Sequence, residues 1–153
     1  MSGVVSDASP VIALHQIGQL GLLETIFGTV LIPPAAAREL LSMERPSWIL
    51  ERTLEQPLAP VVVRAALGPG ESEAISLALE IRADWVLLDD LAARRLAERL
   101  RIPLIGTLGI LLAAKRRGLI PAIRDLVDTL RRSGFRVAND LYEDMLRRAG
   151  EAQ

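Results

Sequence analysis

The chain has 153 residues, 50% of them hydrophobic and 24% charged, a composition that suits one globular domain and excludes a disordered segment. It has no cysteine and one histidine, His15, which excludes disulfides, a thiol nucleophile, thiolate zinc and any chemistry needing two imidazoles. The net charge of −1 hides an uneven split: residues 1–90 carry 5 Arg and 12 acids, whereas residues 91–153 carry 12 Arg, Lys115 and 7 acids.

Short apolar runs alternate with longer helical patterns. Val4-Val5 reads as a strand ending at Asp7, and Ser9-Pro10 as an N-cap with proline at the first helical position, starting a helix to Gln16. Leu20 to Ile26 reads as a second short helix and β-branched Thr29 to Ile32 as a second strand. Pro33-Pro34 opens a helix from Ala35 to Met43, and Trp48 to Leu54 is predicted as another. Pro60 to Val63 reads as a strand. The Gly68-Pro69-Gly70 turn launches a helix from Glu71 to Ile81, with Gly70 as its N-cap. Trp85 to Leu88 is a strand with no polar alternation, as expected when both sheet faces are covered. Asp89-Asp90 ends it, and a helix runs to about Leu100. Pro103 to Ile105 is a last short strand, followed by a helix that Thr107 can cap and Gly118 can end. Pro121 to Arg132 and Asn139 to Arg148 are two more helices.

This alternation predicts an α/β fold with a short parallel sheet of four to five strands, in a single domain over residues 1–150. The mean hydropathy of +0.30 raises the question of a membrane. The most apolar stretch, Ile102 to Ala114, falls short of the ~18 residues a spanning helix needs. No basic segment precedes the first apolar run, so no signal peptide is expected either. The expectation is a soluble, intracellular protein.

In open parallel sheets, ligands sit beyond the carboxyl ends of the strands. Asp7 and the pair Asp89-Asp90 each follow a predicted strand, so distant carboxylates can meet at one sheet edge. Glu39 and Glu73 lie near the starts of two predicted helices. Each has an ordinary role open to it: Asp7 in a local turn, Glu39 in solvent, Glu73 at a helix dipole, and one of Asp89 and Asp90 as an N-cap. Together they would repel one another unless a cation lay among them. Mg²⁺ or Mn²⁺ takes such hard oxygen ligands and can activate water against a phosphate, with no need for Cys or His.

Five segments carry a resemblance. They are Ser6-Asp7-Ala8-Ser9-Pro10, Ile32-Pro33-Pro34 with Arg38-Glu39-Leu40, Gly70-Glu71-Ser72-Glu73-Ala74, Leu87-Leu88-Asp89-Asp90, and Ile105-Gly106-Thr107-Leu108-Gly109 with its following helix. In this order they resemble the PIN-domain family of metal-dependent ribonucleases, which includes the VapC-like toxins. The last block is similar to a subgroup with a Gly-Thr-Leu-Gly helix and extra C-terminal helices, here from about residue 121. The resemblance implies a three-layer α/β/α fold. It also implies a metal site formed by Asp7, Glu39, Glu73 and Asp89 or Asp90, with Asp89 preferred. Ser9 would support the Asp7 loop, and Thr107 would either join the site or cap its helix. Glu73 departs from the aspartate most members place there.

The leading reading is an endoribonuclease of the toxin–antitoxin type, acting in the cytoplasm with Mg²⁺ or Mn²⁺. Arg94, Arg95 and Arg99, on the polar side of one helix, and the Arg-rich segments 115–117 and 131–136 would hold the RNA backbone. A small antitoxin protein and a homodimer are what the resemblance implies. The second reading is a non-catalytic RNA- or protein-binding module, assembling through an apolar surface at Ile110 to Leu119. A phosphotransfer receiver would need its acidic pair after the first strand, and a Rossmann or P-loop site lacks its glycine signature.

Overall fold

The computed structural model describes residues 3–152. Five strands, β1 (Val4–Ser6), β2 (Val30–Ile32), β3 (Ile49–Glu51), β4 (Trp85–Leu87) and β5 (Leu104–Ile105), form one sheet in the order β3-β2-β1-β4-β5. Every pairing is parallel, with Val5 opposite Leu31 on one side and Val86 on the other. Side chains alternate across the pleat, so Val4, Leu87, Val30 and Ile32 join one core while Val5, Val86 and Leu88 join another.

The first core is covered by α1 (Ala8–Gln16), α2 (Gly21–Phe27), α7 (Thr107–Arg116), α8 (Arg124–Arg132) and α9 (Asn139–Arg148), and α3 (Pro34–Glu39) adds Ala36 and Ala37 to it. The second is covered by α4 (Pro60–Arg64), α5 (Pro69–Ile81) and α6 (Leu91–Arg99). This is a three-layer α/β/α arrangement with both sheet faces buried. Glu151 ties the C-terminal helices down: its carboxylate accepts from Lys115 Nζ (2.9 Å), Ile123 N (2.8 Å) and Arg124 N (3.1 Å). No helix among the described residues is long and apolar enough to cross a membrane.

The structure departs from the sequence expectations in several places. The predicted helix at Trp48 to Leu54 is edge strand β3, because Ile49, Leu50 and Glu51 pair along β2. The predicted strand at Pro60 to Val63 is the short helix α4. Pro60 sits in its first turn, Val62 is buried and Val63 is 58% exposed, a split that one helical turn produces. A run of valines carries no periodicity from which to choose. Helix α3 ends at Glu39 rather than Met43, and Leu41 is left exposed. Ser9 and Gly70 are not N-caps: α1 starts at Ala8 after Asp7, and α5 starts at Pro69 after Gly68. Thr107 is the first residue of α7, and Gly106 is its N-cap. Ile110, Leu111 and Ala114 lie in the core, so the apolar face considered for assembly is an interior packing surface.

Candidate metal centre at the strand ends

Parallel strands deliver their C-termini to one edge. The helices between them run back, so the first turn of α5 stands at that same edge. Asp7 follows β1 directly, and its backbone N–H donates to Leu87 O of β4 (3.1 Å). It occupies the N-cap position of α1 without a side-chain capping bond, so its carboxylate is left free. The residue is 3% exposed, and its Oδ1 has no hydrogen-bond partner. Burial pushes its pKa from 3.8 up to about 7. The Ala8 N–H opposes the rise, and the charges of Glu71, Glu39 and Asp89 add to it.

Gly70 forms the floor beside it. A Cβ there would stand 2.5 Å from Asp7 Oδ1 and 3.0 Å from Glu39 Oε2, so one point touches both carboxylates and only glycine leaves that space open. Glu39 reaches this point from the end of α3 and is otherwise exposed.

Asp89, two residues beyond β4, is held firmly. Its Oδ1 accepts from Thr107 N (2.8 Å) and its Oδ2 from Thr107 Oγ1 (2.6 Å). The carboxylate thus caps α7, and fully buried Thr107 orients the acid rather than capping the helix itself. Burial raises the Asp89 pKa; the Thr107 hydroxyl and amide and the Arg94 charge hold it back. Gly106 allows this packing, since a Cβ there would fall 2.8 Å from Asp89 Oδ1 and 2.7 Å from Arg94 Nη1. Asp90 is the N-cap of α6, its Oδ2 accepting from Ala93 N (2.9 Å).

Glu73 turns elsewhere: its Oε1 accepts from Ala35 N (2.8 Å) in the first turn of α3. Glu71 faces the site instead, bordering a groove of about 500 Å³ with Ser9, Asp89 and Asp90. The sequence pattern does not mark Glu71, because α5 starts two residues before the predicted Glu71. With Gly68 as N-cap, Glu71 is the residue at the third helical position. Ser9 is exposed at the rim of that groove. Arg94 is partly buried and donates from Nη1 to Leu88 O (2.9 Å), whereas Arg95 and Arg99 are exposed on α6.

The donor set suits a hard divalent cation: carboxylate oxygens, one of them buried and unpartnered, around a space kept open by a glycine. Among the described residues no group of three acidic or histidine side chains stands close enough together to hold a metal ion. Residues 3–151 match a family model described as a PIN domain. No curated protein and no solved structure matches the chain. PIN domains are generally nucleases, hydrolases that typically use divalent metal ions. With a match that runs from β1 to beyond α9, the chain belongs to the PIN-domain family.

Proposed function

We propose that the protein is a metal-dependent endoribonuclease of the toxin–antitoxin type, hydrolysing RNA phosphodiester bonds with Mg²⁺ or Mn²⁺ in the cleft around Asp7. The observation that carries this reading is the buried, unpartnered Asp7 Oδ1 in the field of three further carboxylates. Such a group destabilises the chain alone and is relieved by a cation. Asp7, Glu39, Glu71 and Asp89 would hold the ion, while Asp90 and Glu73 serve the ends of α6 and α3. When bound, a divalent cation supplies neutralisation of phosphate charge and a lowered pKa for water.

The chain's own residues do the rest. Thr107 fixes Asp89 in direction, and its two hydrogen bonds oppose the rise in the Asp89 pKa that burial causes. Gly70 keeps the floor clear. Arg95 and Arg99 would hold the RNA backbone, with Arg94 tied to the Leu88 carbonyl beside the acids. Unpaired RNA suits the cleft better than a duplex, because its backbone can bend to reach a recessed acid. On the resemblance to VapC-like toxins the reading extends to a small antitoxin partner, a homodimer and a cytoplasmic site of action.

The test is cleavage of a labelled single-stranded RNA by the purified chain, with Mn²⁺ and with chelator, over a salt series. Metal-dependent cleavage that Asp7→Asn abolishes without loss of RNA binding supports the enzyme. Arg95→Ala with Arg99→Ala should weaken binding and flatten its salt dependence, since fewer counterions are released. Tight, metal-independent RNA binding with no cleavage would assign the chain to the non-catalytic module.

A further inference from the structure

We propose that the turn between α8 and α9 holds one unpaired nucleotide of the RNA beside the acidic cleft, Phe135 stacking on the base and Arg136 holding its phosphate. The assignment to RNA rests on the nuclease reading; the placement rests on geometry. Phe135 and Arg136 border the groove that contains Glu71 and Asp89, and they also border a second groove of about 390 Å³ that shares Asp89 and adds Arg94 and Arg148. These two residues therefore stand where two spaces meet at one of the acids. Each space is in the size range that takes a small ligand such as a nucleotide.

Phe135 is partly buried against the first core, so its ring is anchored while it still borders both grooves. Arg136 is exposed and forms no ion pair among the described residues. Arg148, by contrast, is paired with Asp144 through its Nε (2.9 Å). Arg136, next to the ring in sequence, is thus a cation without an ion pair among the described residues.

The turn is built in advance. Gly134 adopts φ +97°, which lets the chain reverse, and Phe135 N donates back to Leu130 O (3.0 Å). Arg131 Nη2 donates to Val137 O (2.9 Å) and Asn139 Oδ1 (2.7 Å), and its guanidinium lies 4.5 Å from the Tyr142 ring centroid. Tyr142 in turn donates to Asp128 Oδ1 (2.7 Å). A clamp of this kind lowers the ordering cost of any ligand the turn receives. An aromatic face beside an unpaired arginine fits a base and its phosphate together, which an acidic peptide would use only in part. Five aromatics in the whole chain exclude an extended stacking platform, but one ring is enough for one base.

The experiment uses the full chain carrying Asp7→Asn, so that RNA is bound and not consumed. Anisotropy is read with a short labelled single-stranded RNA and with an abasic strand of the same length. Phe135→Leu, which keeps apolar bulk for the core, should bind the ordinary strand roughly 5- to 150-fold more weakly. It should bind the abasic strand as the parent does, and Phe135→Tyr should restore the parent's preference. Arg136→Ala should weaken both strands and lower the salt slope by about one charge. Equal effects of Phe135→Leu on both strands, or none, would overturn the proposal. So would a loss of self-association, read by light scattering, with RNA binding intact, because the turn would then face protein. Cleavage by the otherwise wild-type chain separates the two readings. RNA cut without dependence on Phe135 sinks this inference alone, and Phe135-dependent binding without cleavage sinks the nuclease reading alone.

Discussion

Replacing Asp7 with Asn should make the metal-free protein more stable at pH 8 and leave it nearly unchanged at pH 4. The folded chain holds the Asp7 carboxyl at a pKa of about 7, against 3.8 for the free side chain, chiefly through burial and then through Glu71, Glu39 and Asp89. Below pH 4 the group is protonated in both states and costs nothing. Between pH 4 and 7 the folded chain binds more protons than the unfolded one, so stability falls as pH rises. Above pH 7 the loss is complete. At about 1.36 kcal/mol per pKa unit, the full penalty is about 4 kcal/mol as an upper bound. Asn keeps the shape and cannot ionise. At roughly 2–4 °C per kcal/mol for a chain of this size, its melting temperature at pH 8 should stand about 10 °C above that of the parent. The assay is thermal and urea unfolding of both proteins in chelator from pH 4 to 8. Saturating Mn²⁺ at pH 8 should then stabilise the parent and leave the variant little changed. A stability difference that does not grow with pH, or a variant less stable at pH 8, would refute a buried carboxylate repelled by its neighbours.

Four further substitutions probe the same edge. Glu71→Gln should weaken Mn²⁺ binding and bring the Asp7 pKa down, whereas Glu73→Ala should cost about 0.5–2 kcal/mol through the lost cap at Ala35 and leave Mn²⁺ affinity intact; calorimetry showing the reverse order would contradict the placement of the two glutamates. Gly70→Ala should fold, since alanine favours a helix, yet lower Mn²⁺ affinity about 10- to 100-fold by crowding Asp7 and Glu39; unchanged affinity would show that the space is not used. Thr107→Val removes the 2.6 Å bond to Asp89 and should cost about 1–3 kcal/mol at pH 8 while slowing single-turnover RNA cleavage; a variant with neither effect would separate Asp89 from the chemistry.

The α/β alternation, four of the five strands and the parallel sheet could be read from apolar runs and their flanking proline and glycine residues. The misreadings share a cause. Trp48 to Leu54 and Pro60 to Val63 are short apolar runs whose state is decided by what they pack on: β2 in one case, the second core in the other. The acids at the strand ends were visible because Asp7 and Asp89 interrupt buried strands. The choice between Glu71 and Glu73 was not, because it turns on whether Gly68 or Gly70 precedes the first helical residue. Two residues of shift send the side chain to another face of α5, toward α3 and away from Asp7. Of the two roles open to Thr107, cap or site residue, the sequence does not choose, and only the fold brings Asp89 from 18 residues away to accept its bonds. Residues 131–136 stand out in the sequence only as an Arg-rich segment, and the place of Phe135 and Arg136 beside Asp89 follows from the packing of α8 and α9.

The most direct measurement is anomalous diffraction from crystals of the full chain soaked in Mn²⁺. A manganese peak bonded to the Asp7 carboxylate, in the space beside Gly70 and within reach of Glu39, is the result the account predicts. Asp7→Asn crystals treated alike should lose it. Manganese found only at other carboxylates, or no peak at Asp7 under saturating soak, would contradict a metal-dependent cleft at this sheet edge.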